Sequence, residues 1–354
     1  MPFVSQQLRP AVWLCVLALG CRMNLAERAG QLFVDYTGAQ PGVAVLVIKN
    51  GAPVFKKAYG LAQLETKAPV ETHTNFRLAS VSKQFTAMCA MMLVERGQLS
   101  SEASLPELFP GFPDYGRAIT VRHLLQHTSG LIAYEDLIPD TATAQVLDQD
   151  VLAMMMTQDS IYFKPGEKFR YSNTGYAVLA MIVEKISGKS FAAFLQENIF
   201  APLEMTNTIA YEKGVSEVAH RAMGYRVEEG KVLFSDQSIT SATLGDGGIY
   251  SSIEDLFKWD QALYTNKLVR AATLAQAFTP GTLNDGAKTE YGFGWYVDEY
   301  RGHRRVRHSG STCGFCNELQ RYPDDKLAVI ILTNRAEPEV EELANRLTDL
   351  FLLD

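Results

Sequence analysis

Val43-Ala-Val-Leu-Val-Ile-Lys49-Asn50-Gly51-Ala-Pro-Val-Phe-Lys-Lys-Ala-Tyr59 is the stretch from which the architecture can be read. Two β-prone runs, Val43 to Ile48 and Val54 to Tyr59, flank Asn50-Gly51. That dipeptide accepts the left-handed backbone a two-residue hairpin turn demands. The other end of the chain has the same texture. Gly292 to Val297, Arg304 to His308, Cys316 to Tyr322 and Leu327 to Leu332 read as strands, with a turn at Asp324-Asp325 between the last two. A closing helix runs from about Pro338 to Leu352, with Val340, Leu343, Leu347 and Leu350 along one face. A first helix is expected near Ala26 to Tyr36. The two ends of the chain are therefore expected to share one antiparallel sheet flanked by helices.

The middle of the chain is different in kind. Ser80 to Arg96 is a long, very apolar helical run stopped by Gly97. Val121 to Gln126, Val146 to Thr157, Tyr176 to Ile186 and Phe191 to Phe200 are further helices. Ser252-Ile-Glu-Asp255 is a capping box that opens another. The fold class that results is α+β, with a mostly helical lobe (about 76–284) inserted into a sheet lobe (about 22–75 and 285–354). An active site is expected between the lobes. Residues 131–145 and 205–243 are expected to roof it.

Composition narrows the function. The 354 residues carry 33 Lys+Arg against 40 Asp+Glu, a net charge of −7, with 47% hydrophobic residues. That is too apolar for disorder and too acidic to cover nucleic-acid phosphates. Residues 1–21 read as an export signal, with an apolar run from Ala11 to Leu19 too short to span a bilayer. Ala18-Leu-Gly-Cys21 is a loose lipobox, which makes Cys21 a candidate lipid anchor and the cell envelope or periplasm the expected location. Cys313-Gly-Phe-Cys316 invites a redox or zinc reading. It lies in a Gly-containing turn between strands, without a helix N-terminus to activate a thiol or a second Cys pair to complete a zinc site. A local disulfide or two plain thiols is the better account. His123 and His127 have i, i+4 spacing but no intervening Glu, so His127 reads as a structural helix-end residue behind the site.

Three short constellations carry chemistry. In Ser80-Val-Ser-Lys83 the side chains at i and i+3 project from one helical face, about 5–6 Å apart at Cβ. Burial would lower the Lys83 pKa and let a neutral amine take the Ser80 proton, while the Ser80 N–H stabilises an oxyanion. In Tyr171-Ser-Asn173, a phenol beside the ammonium is expected to be acidified and to share the base role, and Asn173 offers a donor and an acceptor to a substrate amide. In His308-Ser-Gly310-Ser311, His308 is expected to orient substrate, Gly310 to let substrate lie along the strand edge, and the Ser311 N–H to be the second oxyanion donor. Singly, each reads as easily as a capped helix or a strand running into a turn.

Together they resemble the Ser-x-x-Lys, Tyr-x-Asn, Lys/His-x-Gly triplet of the serine penicillin-recognising enzymes. The surrounding stretches fit as well. Phe76-Arg-Leu-Ala-Ser80-Val-Ser-Lys83-Gln-Phe-Thr86, Leu124-Leu-Gln-His127-Thr-Ser-Gly130, Lys164-Pro-Gly-Glu-Lys-Phe-Arg-Tyr171-Ser-Asn173 and Gly245-Asp-Gly-Gly248 resemble class C β-lactamase-like serine hydrolases from about residue 40 to the C-terminus. The resemblance implies an acyl-enzyme mechanism with no metal and no organic cofactor. Ser80, Lys83 and Tyr171 would be catalytic, with Asn173, His308, Gly310 and Ser311 binding substrate or the oxyanion.

His308 stands where class C lactamases carry Lys. A largely neutral imidazole is a weaker partner for a lactam carboxylate. Histidine there also occurs in family members that are D-stereospecific peptidases, and the same fold supports carboxylesterases. Arg305 and Arg307, at odd offsets from His308, fall off its face and read as solvated strand charges. The expected substrate is thus a small ester or a D-amino-acid amide or peptide, with weak β-lactam hydrolysis. The alternatives are an efficient β-lactamase and a penicillin- or peptidoglycan-binding protein without turnover. A C-x-x-C redox protein is a third, and the sequence says nothing of oligomeric state.

Overall fold

A computed structural model describes residues 23–336 and 339–352. The leader with Cys15 and Cys21, and Pro338, lie outside the described residues. The centre is a six-stranded antiparallel sheet built from β1 (Val43–Lys49), β2 (Ala52–Tyr59), β3 (Tyr296–Tyr300), β4 (His303–Thr312), β5 (Phe315–Tyr322) and β6 (Leu327–Thr333), in the order β3-β4-β5-β6-β1-β2. β1 pairs with β6 from Val43↔Thr333 to Lys49↔Leu327, so the first and last strands of the sheet lie side by side. Asn50 and Gly51 both have positive φ, as the hairpin reading requires. β2 is an edge strand whose exposed Lys56, Lys57 and Pro53 discourage further pairing.

Alternation along β1 explains the layers. Val43, Val45 and Val47 pack beneath the terminal helices α1 (Leu25–Gln31) and the last helix, Val340–Leu352, while Ala44, Leu46 and Ile48 face the helical lobe. Along the way come α2 (Lys83–Glu95), α3 (Val121–Leu125), α4 (Asp148–Met156), α5 (Asn173–Ser187) and α6 (Ile253–Ala262), which makes the closing helix α7. α2 is buried from Lys83 to Leu93 on every face, the expected place for a helix that is apolar all round. Asn334, just past β6, knots the lobes together. Its Oδ1 accepts from the Gly42 N–H at 2.6 Å, and its Nδ2 donates to the carbonyls of Leu61, Ala62 and Met223.

Three local expectations are corrected, and one open alternative is decided. The run from Ser80 begins as a 3₁₀ turn over Ala79–Ser82, and the α-helix starts only at Lys83. The strand expected at Gly292 to Val297 begins at Tyr296. Gly292 and Gly294 serve close packing instead, because a Cβ there would meet the Ala277 carbonyl oxygen at 2.0 Å and that of Lys83 at 2.8 Å. Of the two accounts offered for Cys313-Gly-Phe-Cys316, the structure has the thiols and not the disulfide. Arg305 is not solvated: it is buried and grips both oxygens of Asp298 at 2.8 Å, and Arg307 binds Asp298 and Glu341. They do lie off the His308 face, as alternation requires, but the face they occupy is covered by α7.

Candidate active site

The nucleophile candidate sits on a strained turn. Ala79 has φ +50, a backbone conformation that costs a non-glycine residue about 1–3 kcal/mol and that concentrates at functional sites. It lifts Ser80 into a pocket lined by Arg77, Tyr134, Glu135, Asn173, Asp246 and Ser311. Behind Ser80 lies β4. A Cβ on Gly310 would come within 2.1 Å of the Leu78 carbonyl oxygen and 3.2 Å of the Ser80 nitrogen. Gly310 therefore lets the strand press against the nucleophile turn, and the space its missing side chain leaves is taken by protein, not by substrate as expected.

Lys83 is fully buried. Its Nζ donates to Ser80 Oγ at 3.0 Å, to Asn173 Oδ1 at 2.8 Å and to the Asp246 carbonyl at 2.8 Å. Three donors meet three acceptors, so the ammonium has one orientation. Burial nevertheless pulls its pKa down to about 8, against the opposing pull of Asp246 and Glu135. About a tenth of the molecules then hold a free amine at neutral pH, its lone pair beside the serine hydroxyl.

Tyr171 departs from expectation. Its pKa is raised, because burial outweighs the offsetting contact with Ser80. The reason is geometric. The Lys83 ammonium lies over the face of the Tyr171 ring, 4.9 Å from its centroid, rather than against the oxygen. The hydroxyl is buried, close to Ser80, and without a completed hydrogen bond. A phenol in that state stays protonated at neutral pH.

His308 is buried as well. Burial, and then Lys83, press its pKa down to about 3, and both ring nitrogens are engaged, Nε2 with the Tyr291 hydroxyl at 2.9 Å and Nδ1 with the Ser309 carbonyl at 2.6 Å. It is a neutral member of an aromatic cluster and does not line the pocket with Ser311, so direct orientation of substrate is not what it does here. Tyr291, that partner, is itself buried.

The structure thus brings Ser80, Lys83, Tyr171 and Asn173 together with Ser311 on the rim, and leaves His308 and Gly310 as support. Glu135 and Asp246 escaped the sequence reading. Glu135 accepts from Asn173 Nδ2 at 2.7 Å, with its pKa raised by burial. Asp246 lies in the Leu244–Gly247 turn, whose leading N–H groups of Leu244 and Gly245 are held by the buried carboxyl of Asp148 at 2.7 and 3.1 Å. The only signal was the Gly245-Asp-Gly-Gly248 stretch, one of those that carry the family resemblance. Glu135 had none.

The chain matches the family described as Beta-lactamase over residues 27–353. It belongs to the beta-lactamase family. Members of this family are serine hydrolases, and the chain is one of them. It is 37% identical over 315 residues to Penicillin-binding protein 4* of Bacillus subtilis (strain 168), covering 85% of this chain and 69% of that protein. Protein flp of Staphylococcus aureus (strain MRSA252) is 25% identical, and the chain spans 62% of its length while 88% of the chain is covered. Among solved beta-lactamase-fold structures, the octameric penicillin-binding protein homologue from Pyrococcus abyssi superposes with a TM-score of 0.80 at 26% identity, over 93% of this chain and 77% of that one. The D-amino acid amidase from Ochrobactrum anthropi SV3 shares the fold with a TM-score of 0.79 at 23% identity, over 93% and 99% of the two chains.

Proposed function

We propose that Ser80 is acylated by a small ester or a D-amino-acid amide or peptide and then released by water, with β-lactam opening as a minor activity. The observation that carries this reading is the buried Lys83 Nζ 3.0 Å from Ser80 Oγ, with a pKa near 8. The free amine accepts the hydroxyl proton as Ser80 Oγ bonds to the acyl carbon. The Ser80 and Ser311 N–H groups hold the oxyanion. Tyr171, kept protonated by burial, hands its proton to the leaving oxygen or nitrogen and is reprotonated through Lys83. Water then attacks the acyl-serine by the reverse route, and Ser80 leaves with the proton.

The charge of the pocket supports the substrate class. Neutral His308 offers no cation to a lactam carboxylate. Arg77, the pocket's guanidinium, is spent on the carbonyls of Ser241 and Gly247. Glu135 and Asp246 remain, and an acyl group carrying an ammonium suits them. The D-preference rests on the likeness at His308.

Initial rates on a p-nitrophenyl ester, a D-amino-acid p-nitroanilide and a chromogenic cephalosporin test this for wild type, S80A and E135Q. S80A is expected to abolish turnover and covalent labelling with the fold intact. E135Q is expected to raise KM for the anilide about tenfold and to leave the uncharged ester alone. Dominant cephalosporin turnover, or labelling that survives S80A, sinks the proposal. Stoichiometric labelling without turnover would favour the binding-protein reading instead.

A further inference from the structure

The loop after α3 contains a residue that the chemistry above does not use. His127 is buried and has φ +57, in the left-handed region. Its carbonyl accepts from the Arg170 N–H at 2.9 Å, and its ring Nδ1 accepts from the Ser172 N–H at 3.0 Å. One residue thus holds the backbone on both sides of Tyr171. The imidazole packs on the phenol, with ring centroids 4.3 Å apart, and Tyr291 at 4.4 Å and Tyr176 at 5.0 Å also pack around it. Because Nδ1 accepts, the neutral ring carries its proton on Nε2, which has no hydrogen-bond partner among the described residues. Leaving a buried N–H unpaired is costly. The position therefore uses the ring for its acceptor and its flat face rather than for full polar satisfaction. Ser172, the residue held, is also the N-cap of α5, its Oγ accepting from the Gly175 N–H at 3.2 Å, and the next residue is Asn173, which binds Lys83.

We propose that His127 is the positioning residue for Tyr171. Its carbonyl and Nδ1 clamp the flanking amides, and its ring fixes the plane of the phenol so that the hydroxyl faces Ser80. The left-handed backbone is part of the device, since it lets one residue present both acceptors to the same neighbouring segment. The inference rests on the reading that Tyr171 takes part in proton transfer at Ser80.

The experiment is a double-mutant cycle on the p-nitrophenyl ester with H127A, Y171F and the pair, together with H127N. Asparagine tolerates the left-handed backbone, and its Oδ1 stands where Nδ1 stands. H127A is expected to lower kcat about tenfold with KM within about twofold, and to cost less than about twofold once Tyr171 is already phenylalanine, as coupled residues do. H127N is expected to recover most of the loss. An equal cost of H127A in both backgrounds, or an H127N no better than H127A, overturns the proposal while leaving Tyr171 its role. A Y171F enzyme with wild-type kcat overturns the role of Tyr171, and the clamp with it. Should H127A fail to fold, H127Q, whose acceptor lies one methylene farther out, takes its place in the cycle.

Discussion

On the proposed mechanism Lys83 has to be two things, a donor that orients Ser80 and a base that deprotonates it, and a pKa near 8 makes both available near neutrality. The protonated form cannot accept, so the productive fraction grows about tenfold per pH unit until the amine is half free, then levels off. With an uncharged ester, kcat/KM should climb to a midpoint near 8, measured from about pH 6 to about pH 9. An ascending limb near 6.5 would point to a histidine, which the buried, neutral His127 and His308 make unsuited to the task. The Ser80–Lys83 pairing was readable because i and i+3 share a helical face, and a 3₁₀ turn preserves that relation. The state of Tyr171 was not readable. Spacing places a phenol near an ammonium but does not say whether the cation meets the oxygen or the ring.

At the scale of elements, β4 against the nucleophile turn is a contact with little slack. G310A places a methyl group 2.1 Å from the Leu78 carbonyl oxygen, and neither strand nor turn can yield without moving Ser80. Such overpacking costs about 1–3 kcal/mol. A lowered denaturant midpoint together with lost esterase activity is the expected result, and a variant with the wild-type midpoint and rate would show that the contact relaxes freely. The elements themselves were largely legible. The hairpin at Asn50-Gly51, the apolar α2 and the stripe on α7 each carry a period or a turn signal. What failed did so for identifiable reasons. Gly292 to Val297 reads as a strand, yet its glycines are there for close approach to Ala277 and Lys83. Arg305 and Arg307 look like solvent charges because nothing local reveals that Asp298 and Glu341 will come to meet them. Glu135 and Asp246 reach the pocket from loops, where no periodicity points inward.

Across the whole molecule the two lobes are held by a few polar contacts deep in the packing. Arg321 on β5 and Asp260 on α6 form an ion pair in which both side chains are only 1% exposed. D260N strands the guanidinium, and breaking such a pair costs about 3–5 kcal/mol. Urea unfolding should report a loss of that size. Replacing both partners by apolar residues of similar volume should recover much of it, whereas a D260N protein as stable as wild type would mean that the Asp260 backbone carbonyl, Tyr264 and Phe278 satisfy the cation without the carboxylate. The inserted-lobe topology could be inferred because strand texture appears at both ends and nowhere for long between them. How the lobes lock, through Asn334 and this pair, could not, since each tie joins residues far apart in sequence.

The pairing of β1 with β6 also sets an order of events. On a ribosome, β1 and its hairpin partner emerge first, and the other long edge of β1 stays open until almost the entire chain has been made. That edge belongs to Val43-Ala-Val-Leu-Val-Ile48, an uncharged β-prone run able to pair with any similar strand it meets. A nascent chain of this design spends most of its synthesis with its most adhesive segment unclaimed, and the last strand to appear is the one that claims it.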